Sequence, residues 1–98
     1  TVSGVKSSSI VLHAIVADNA LNSAVTFLKM WNVASGSVTI GTTSPDFIIA
    51  VPASVKRTIV FPEGWALATA LTVAATTTAA LAGVTSPSNN FLLEILYV

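Results

Sequence analysis

Cysteine is absent from the 98 residues, so neither a disulfide nor a thiolate-held metal reinforces the chain. Charge is nearly absent too. Four Lys and Arg and four Asp and Glu make 8% of the sequence, where a soluble domain ordinarily carries about 25%. Their formal sum is zero, which leaves no electrostatic footprint for nucleic acid or an anionic lipid surface. Long aliphatic runs are missing as well. The uncharged stretch 64–83 has about the 20 residues of a spanning helix, but it is built largely of Ala and Thr. Its flanks lack the Lys/Arg bias that orients a span, so no transmembrane helix is expected. No basic segment followed by an apolar one opens the chain, so no signal peptide is expected either. A first residue Thr1 fits removal of an initiator Met or excision from a longer protein.

What is present is apolar. Hydrophobic residues make 53% of the sequence, and the mean hydropathy is +0.82. The length suits one domain, 1–98, and a domain this small buries only roughly 60–65% of the surface its unfolded chain exposes. With few charges to keep copies apart, apolar surface left outside marks an association site.

β-branched residues and short apolar runs, cut by turn residues, predict strands over 7–17, 24–33, 46–51, 54–61, 65–75 and 91–98. Short strands at 38–40 and 79–84 are optional additions. In the first strand Leu12, Ala14 and Val16 share one side, and Val11, His13 and Ile15 the other. Leu28 and Met30 oppose Phe27, Lys29 and Trp31. Further on, Val55, Ile59 and Phe61 oppose Lys56, Thr58 and Val60, with Arg57 on the apolar side, the mark of an edge or an interface. Pro62-Glu63-Gly64 reads as a tight turn. Trp65, Leu67, Leu71 and Val73 are core candidates if a bulge near Ala68-Thr69-Ala70 keeps them in phase. Thr76–Asn90 reads as a long loop. Strands without helices predict an antiparallel two-sheet β-sandwich.

Groups for chemistry are thin. His13 is the sole histidine and lacks an evident nucleophile and orienting carboxylate. Asp18, Asp46, Glu63 and Glu94 are scattered, outside metal-ligand or glycosidase spacing. Asp18-Asn19 reads as a turn. No catalytic, cofactor-binding or metal-binding residue is assigned, and no enzymatic activity is expected. Trp31, Trp65 and Tyr97 form either a sugar-stacking platform or core and subunit contacts.

Four stretches taken together carry a resemblance: Phe27-Leu28-Lys29-Met30-Trp31-Asn32, Ile49-Ala50-Val51-Pro52-Ala53-Ser54, Val60-Phe61-Pro62-Glu63-Gly64 and Leu71-Thr72-Val73-Ala74-Ala75-Thr76. Their order and spacing resemble the small jelly-roll virion proteins of tailed bacteriophages, of the capsid decoration (cement) or head-fibre type. Ala70 departs from the pattern, which has glycine before the Leu-x-Val strand. The resemblance implies a jelly-roll-like subunit on the outer capsid surface, a homotrimer bridging copies of the major capsid protein. On that reading Phe27, Trp31, Phe91, Leu93 and Tyr97 are either subunit contacts or core. Lys29, Lys56 and Arg57 would meet capsid carboxylates, or the pair 56–57 would form a solvated edge that blocks aggregation. The alternative is a tail-fibre or receptor-binding module recognising glycans through Trp31 or Trp65. A domain cut from a larger adhesin is a third.

Overall fold

A computed structural model describes residues 2–98. Seven strands carry the fold: β1 Ser3–Lys6, β2 Ile10–Asp18, β3 Thr26–Trp31, β4 Phe47–Val51, β5 Lys56–Leu67, β6 Leu71–Thr76 and β7 Leu92–Tyr97. A single 3-10 turn, Ser35–Ser37, interrupts them. The strands form a four-stranded sheet in the order β1-β6-β3-β4 and a three-stranded sheet in the order β5-β2-β7, every pair antiparallel.

The topology is that of a long hairpin rolled up. β1 pairs with β6, β2 with β5 and β3 with β4, as the successive rungs of one hairpin would. Curling then brings β6 beside β3 and closes the four-stranded sheet. This is jelly-roll wrapping with six strands in place of eight, plus β7 added on the far side of β2. The expected two-sheet sandwich is therefore the fold.

The core lies between the sheets. Ile10, Leu12, Ile15, Ala17 and Leu67 come from one layer, and Leu28, Met30, Ile49, Val51, Leu71 and Val73 from the other. Trp65, Phe61, Ile59, Leu93 and Ile95 close its margins while half-buried. Period-two alternation places Leu28 and Met30 inward and Ile59 and Phe61 inward, as the sequence predicts.

The alternation fails in β2. His13 is a bulge: Leu12 pairs with Tyr97 and Ala14 with Leu96, leaving His13 unopposed between them. The extra residue reverses the phase, so Ile10 and Leu12 point inward before it and Ile15 and Ala17 after it. Ala14 and Val16 thereby leave the side of Leu12, correcting the grouping expected from sequence.

The same bulge explains the second correction. Pro62-Glu63-Gly64 is not a turn between strands but a protrusion within β5. Leu12 pairs with Trp65 and Ala14 with Val60, so residues 61–64 all stand opposite His13. Pro62 has no N–H to give the ladder, and Gly64 takes φ +78°, the left-handed region where a Cβ would also strike Val11. The chain changes sheets instead at 68–70. There Asn32 Oδ1 accepts from the backbone N–H groups of Thr69 and Ala70, at 3.0 and 3.2 Å. No strand forms at 38–40 or 79–84, and Ser3–Lys6 is a strand the sequence reading did not anticipate.

Candidate interaction surface

The outer faces of the two sheets differ in what lies over them. On the four-stranded sheet, Phe27, Lys29 and Trp31 of β3 and Thr72, Ala74 and Thr76 of β6 point away from the core. Two loops roof this face. Segment 32–46 covers Trp31, whose Nε1 donates to Thr43 O at 3.0 Å. Segment 77–90 covers Lys29, whose Nζ donates to Ala80 O at 2.7 Å and Gly83 O at 3.0 Å. The loops meet where Gly41, at φ +88°, lies against Val84. Trp31 and Lys29 are each only 1% exposed. Burial lowers the Lys29 pKa from the usual lysine range, because the charged ammonium loses hydration that two carbonyls only partly replace.

Among the described residues, none roofs the outer face of the three-stranded sheet. The pairing lays it out in four rows: Val98–Val11–Ala66, Leu96–Ala14–Val60, Glu94–Val16–Thr58 and Leu92–Asp18–Lys56. Backbone bonds Val11 N to Val98 O and Val98 N to Val11 O, both 3.0 Å, extend the ladder to the last residue. Val98 is 77% exposed, Leu96 64%, Val60 62% and Leu92 53%. Charge is confined to Glu94 and the Asp18–Lys56 end. Three strands and four rows make a patch of about 14 by 27 Å from standard strand spacings. Apolar surface gathered in this way is what contact with another protein removes from water.

The residues singled out in the sequence fall in several places. Lys29 and Trp31 lie inside the protomer, under the loops, which corrects Lys29 as a surface contact and leaves Trp31 as an interior residue. Phe27 is half-buried on the roofed face, between Ala50 and Thr76. Phe91 and Leu93 pack half-buried against the core. Tyr97 stands at the rim, 40% exposed, with Lys6 Nζ 5.4 Å from its ring centre. Lys56 is exposed at the polar end of the bare face. Arg57 leans across to the other sheet and donates from Nη1 to Ala50 O at 2.6 Å, and its strand is an edge, as its position in the alternation indicates.

The residues that make the bare face, Val60, Leu92, Leu96 and Val98, were not among those singled out from the sequence. Val60 was legible, since alternation puts it with Lys56 and Thr58. Leu92 and Leu96 had one signal only, the charge of Glu94 two residues from each, in a segment otherwise apolar.

A second feature lies at the seam between β4 and β5. Phe47, Phe61 and Trp65 pack edge-on or tilted, with ring centres 5.5–6.3 Å apart. With Asp46 and Gly64 they border a shallow depression of about 430 Å³. Asp46 Oδ2 accepts from Asn32 N at 2.7 Å, while Asp18 Oδ1 accepts from Ala20 N in the expected turn. At one end of the sandwich the buried Asn19 gathers distant backbone: its Nδ2 donates to Ala24 O, Val51 O and Pro52 O, and its Oδ1 accepts from Asn22 and Thr26. Among the described residues no three His, Asp or Glu side chains gather as a metal site, and no helix is long and apolar enough to cross a membrane.

Fold and surface together define a small jelly-roll-like β-sandwich with one roofed and one bare outer face. No protein-family model, curated protein or solved structure matches the chain.

Proposed function

We propose that this chain is a structural virion subunit, a capsid decoration or cement protein that binds the outside of a tailed-phage capsid and stabilises the shell by bridging. The single observation that carries the reading is the bare apolar face of the three-stranded sheet. A rigid sandwich with a flat, nearly uncharged side suits passive adhesion, in which burial of apolar area supplies the affinity and a polar rim supplies orientation. The patch is smaller than the roughly 800 Å² per partner of an ordinary stable contact. Its rim must therefore take part, and Lys56 stands in position to do so. Interactions with copies of the chain and with the major capsid protein complete the reading; no cofactor, nucleic acid or membrane enters it.

Binding to tailed-phage capsids stripped of decoration protein, followed by co-sedimentation, tests it. Val60→Lys introduces a charge on the β5 side of the face, where the wild-type side chain is mostly solvated. It should weaken shell binding by about tenfold or more while the thermal midpoint stays within a few degrees. Equal binding by the two proteins, or no binding to any shell, removes the proposal.

A second reading, a tail-fibre or receptor-binding module for glycans, is favoured by the Phe47–Phe61–Trp65 corner with Asp46 and Glu63 beside it. Trp31 takes no part, being buried. Saturable quenching of Trp65 fluorescence by sugars, abolished in Trp65→Phe, would select this reading instead.

A further inference from the structure

The sandwich has four edge strands, and three of them are guarded. β1 is four residues long and bulged between Gly4 and Lys6. β4 has its edge carbonyl at Ala50 capped by the Arg57 guanidinium. β5 opens with Lys56 and Arg57, contains Pro62 and bows outward over 61–64. Short length, bulges, proline and basic side chains are the devices that stop one sheet from adding to another. β7 has no bulge, proline or basic side chain, and its one charge is Glu94. It runs straight from Leu92 to Tyr97, and Val98 continues its ladder. It contains no Lys, Arg, Pro or Gly and, among the described residues, pairs on one side only, with β2. The nearby Lys6 reaches the Tyr97 ring rather than the strand's backbone.

We infer that the free edge of β7 is a self-association site that pairs antiparallel with β7 of a second copy, joining two three-stranded sheets into one of six strands. The inference rests on the proposed function, which it deepens by naming the partner of one surface: the edge holds the copy, and the outer face is left for the shell. A second copy is the occupant because the strand is complementary to itself in one favoured register. Two-fold pairing keeps inward residues opposite inward residues, so a residue must face its own counterpart at the axis. With Ile95 on the axis, Leu92 faces Val98, Leu93 faces Tyr97 and Glu94 faces Leu96. All seven residues from 92 to 98 then pair along about 24 Å. With Glu94 on the axis, two carboxylates stand opposite each other, which is unfavourable. With Leu96 on the axis, only 94–98 overlap. The formal net charge of zero adds no long-range repulsion between copies. The strip is narrow compared with an ordinary interface, so the dimer should be weak and concentration-dependent.

The chain has no cysteine, so introduced ones report register cleanly. Glu94→Cys and Leu96→Cys proteins, mixed and oxidised mildly, should form the mixed disulfide in preference to either homodimer. Sedimentation of the full chain should show reversible dimers, and Leu96→Glu, which sets a carboxylate opposite Glu94 of the second copy, should raise the dissociation constant by about tenfold. Homodimers of Leu96→Cys in preference to the mixed product, a wild-type chain that stays monomeric at the highest soluble concentration, or Leu96→Glu dimerising like wild type would each overturn the inference. Val60→Lys separates it from the parent reading. That variant should dimerise normally while binding shells about tenfold or more weakly. Loss of both together would mean that the face, not the edge, holds the copies.

Discussion

Two sheets of one small domain treat their outer sides in opposite ways. The four-stranded sheet hides a lysine, a tryptophan and two threonines under loops, and ties each with hydrogen bonds to backbone: Lys29 to Ala80 and Gly83, Trp31 to Thr43, Thr72 to Val33 and Thr76 to Thr78. The three-stranded sheet presents Val60, Leu92, Leu96 and Val98 to solvent with nothing above them. The polar-looking side is thus the interior one, and the apolar-looking side is the exterior one. Residue type alone assigns neither. Burial of a polar group is tolerable where backbone carbonyls meet it.

That contrast breaks most visibly at Trp31. Trp31→Ala empties the space under segment 32–46 and should cost about 3–5 kcal/mol in denaturant unfolding. A loss below about 1 kcal/mol would mean the roof is not packed on the sheet. Asn19→Ala removes the hub that gathers the backbone of residues 24, 51 and 52, and should cost about 3 kcal/mol, since several buried partners lose their bonds together. Its effect should exceed that of Asp18→Ala, whose carboxylate bonds only Ala20 at the surface.

Lys29→Met keeps the length of the side chain and deletes the donor to two carbonyls. The expected cost is about 1–3 kcal/mol, with faster amide exchange at Thr77 and Gly83, which close the 77–85 loop. The wild type should also show a pH signature that the variant lacks. The folded-state pKa of Lys29 is lowered, so between that value and the unfolded value of about 10.4 the unfolded chain holds more protons. Stability attributable to this residue therefore rises with pH across the window and falls again as pH is brought back down. Parallel pH profiles for wild type and Lys29→Met would contradict a desolvated ammonium. Smallest is Val60→Thr on the bare face, which should move unfolding by less than about 0.5 kcal/mol. A much larger loss would mean that the face already has cover within the protomer.

How much of this was legible in advance varies by strand. β3 declared both its faces, because Leu28 and Met30 alternate with residues of other character. β5 declared its outward Thr58 and Val60 and its edge position, through Arg57. β2 misled, because a bulge at His13 reverses the phase and no residue there demands one. β7 gave a single contrast, Glu94, whose charge puts Leu92 and Leu96 on the outward side with it; the other residues, Leu, Leu, Ile, Leu and Tyr, carry none. Asn19 passed as an ordinary turn residue beside Asp18, although its partners lie up to 33 residues away. Of the contact residues expected from sequence, Lys29 and Trp31 fell on the correct outward side of β3. Only the loops returning over them, from as far as 54 residues away, took them out of reach.

By itself, the sequence determined the all-β class, the approximate place of most strands, the two-sheet architecture and the shortage of charge that leaves apolar surface unprotected. Those properties follow from local preference and composition, which each residue carries with it. Which side of β2 and β7 faces the core, and which outer face is covered, were decided only in the tertiary structure. Alternation has a period but no sign, and the sign is set when strands pair, a single bulged residue shifts the phase, and distant loops settle on one sheet and not the other.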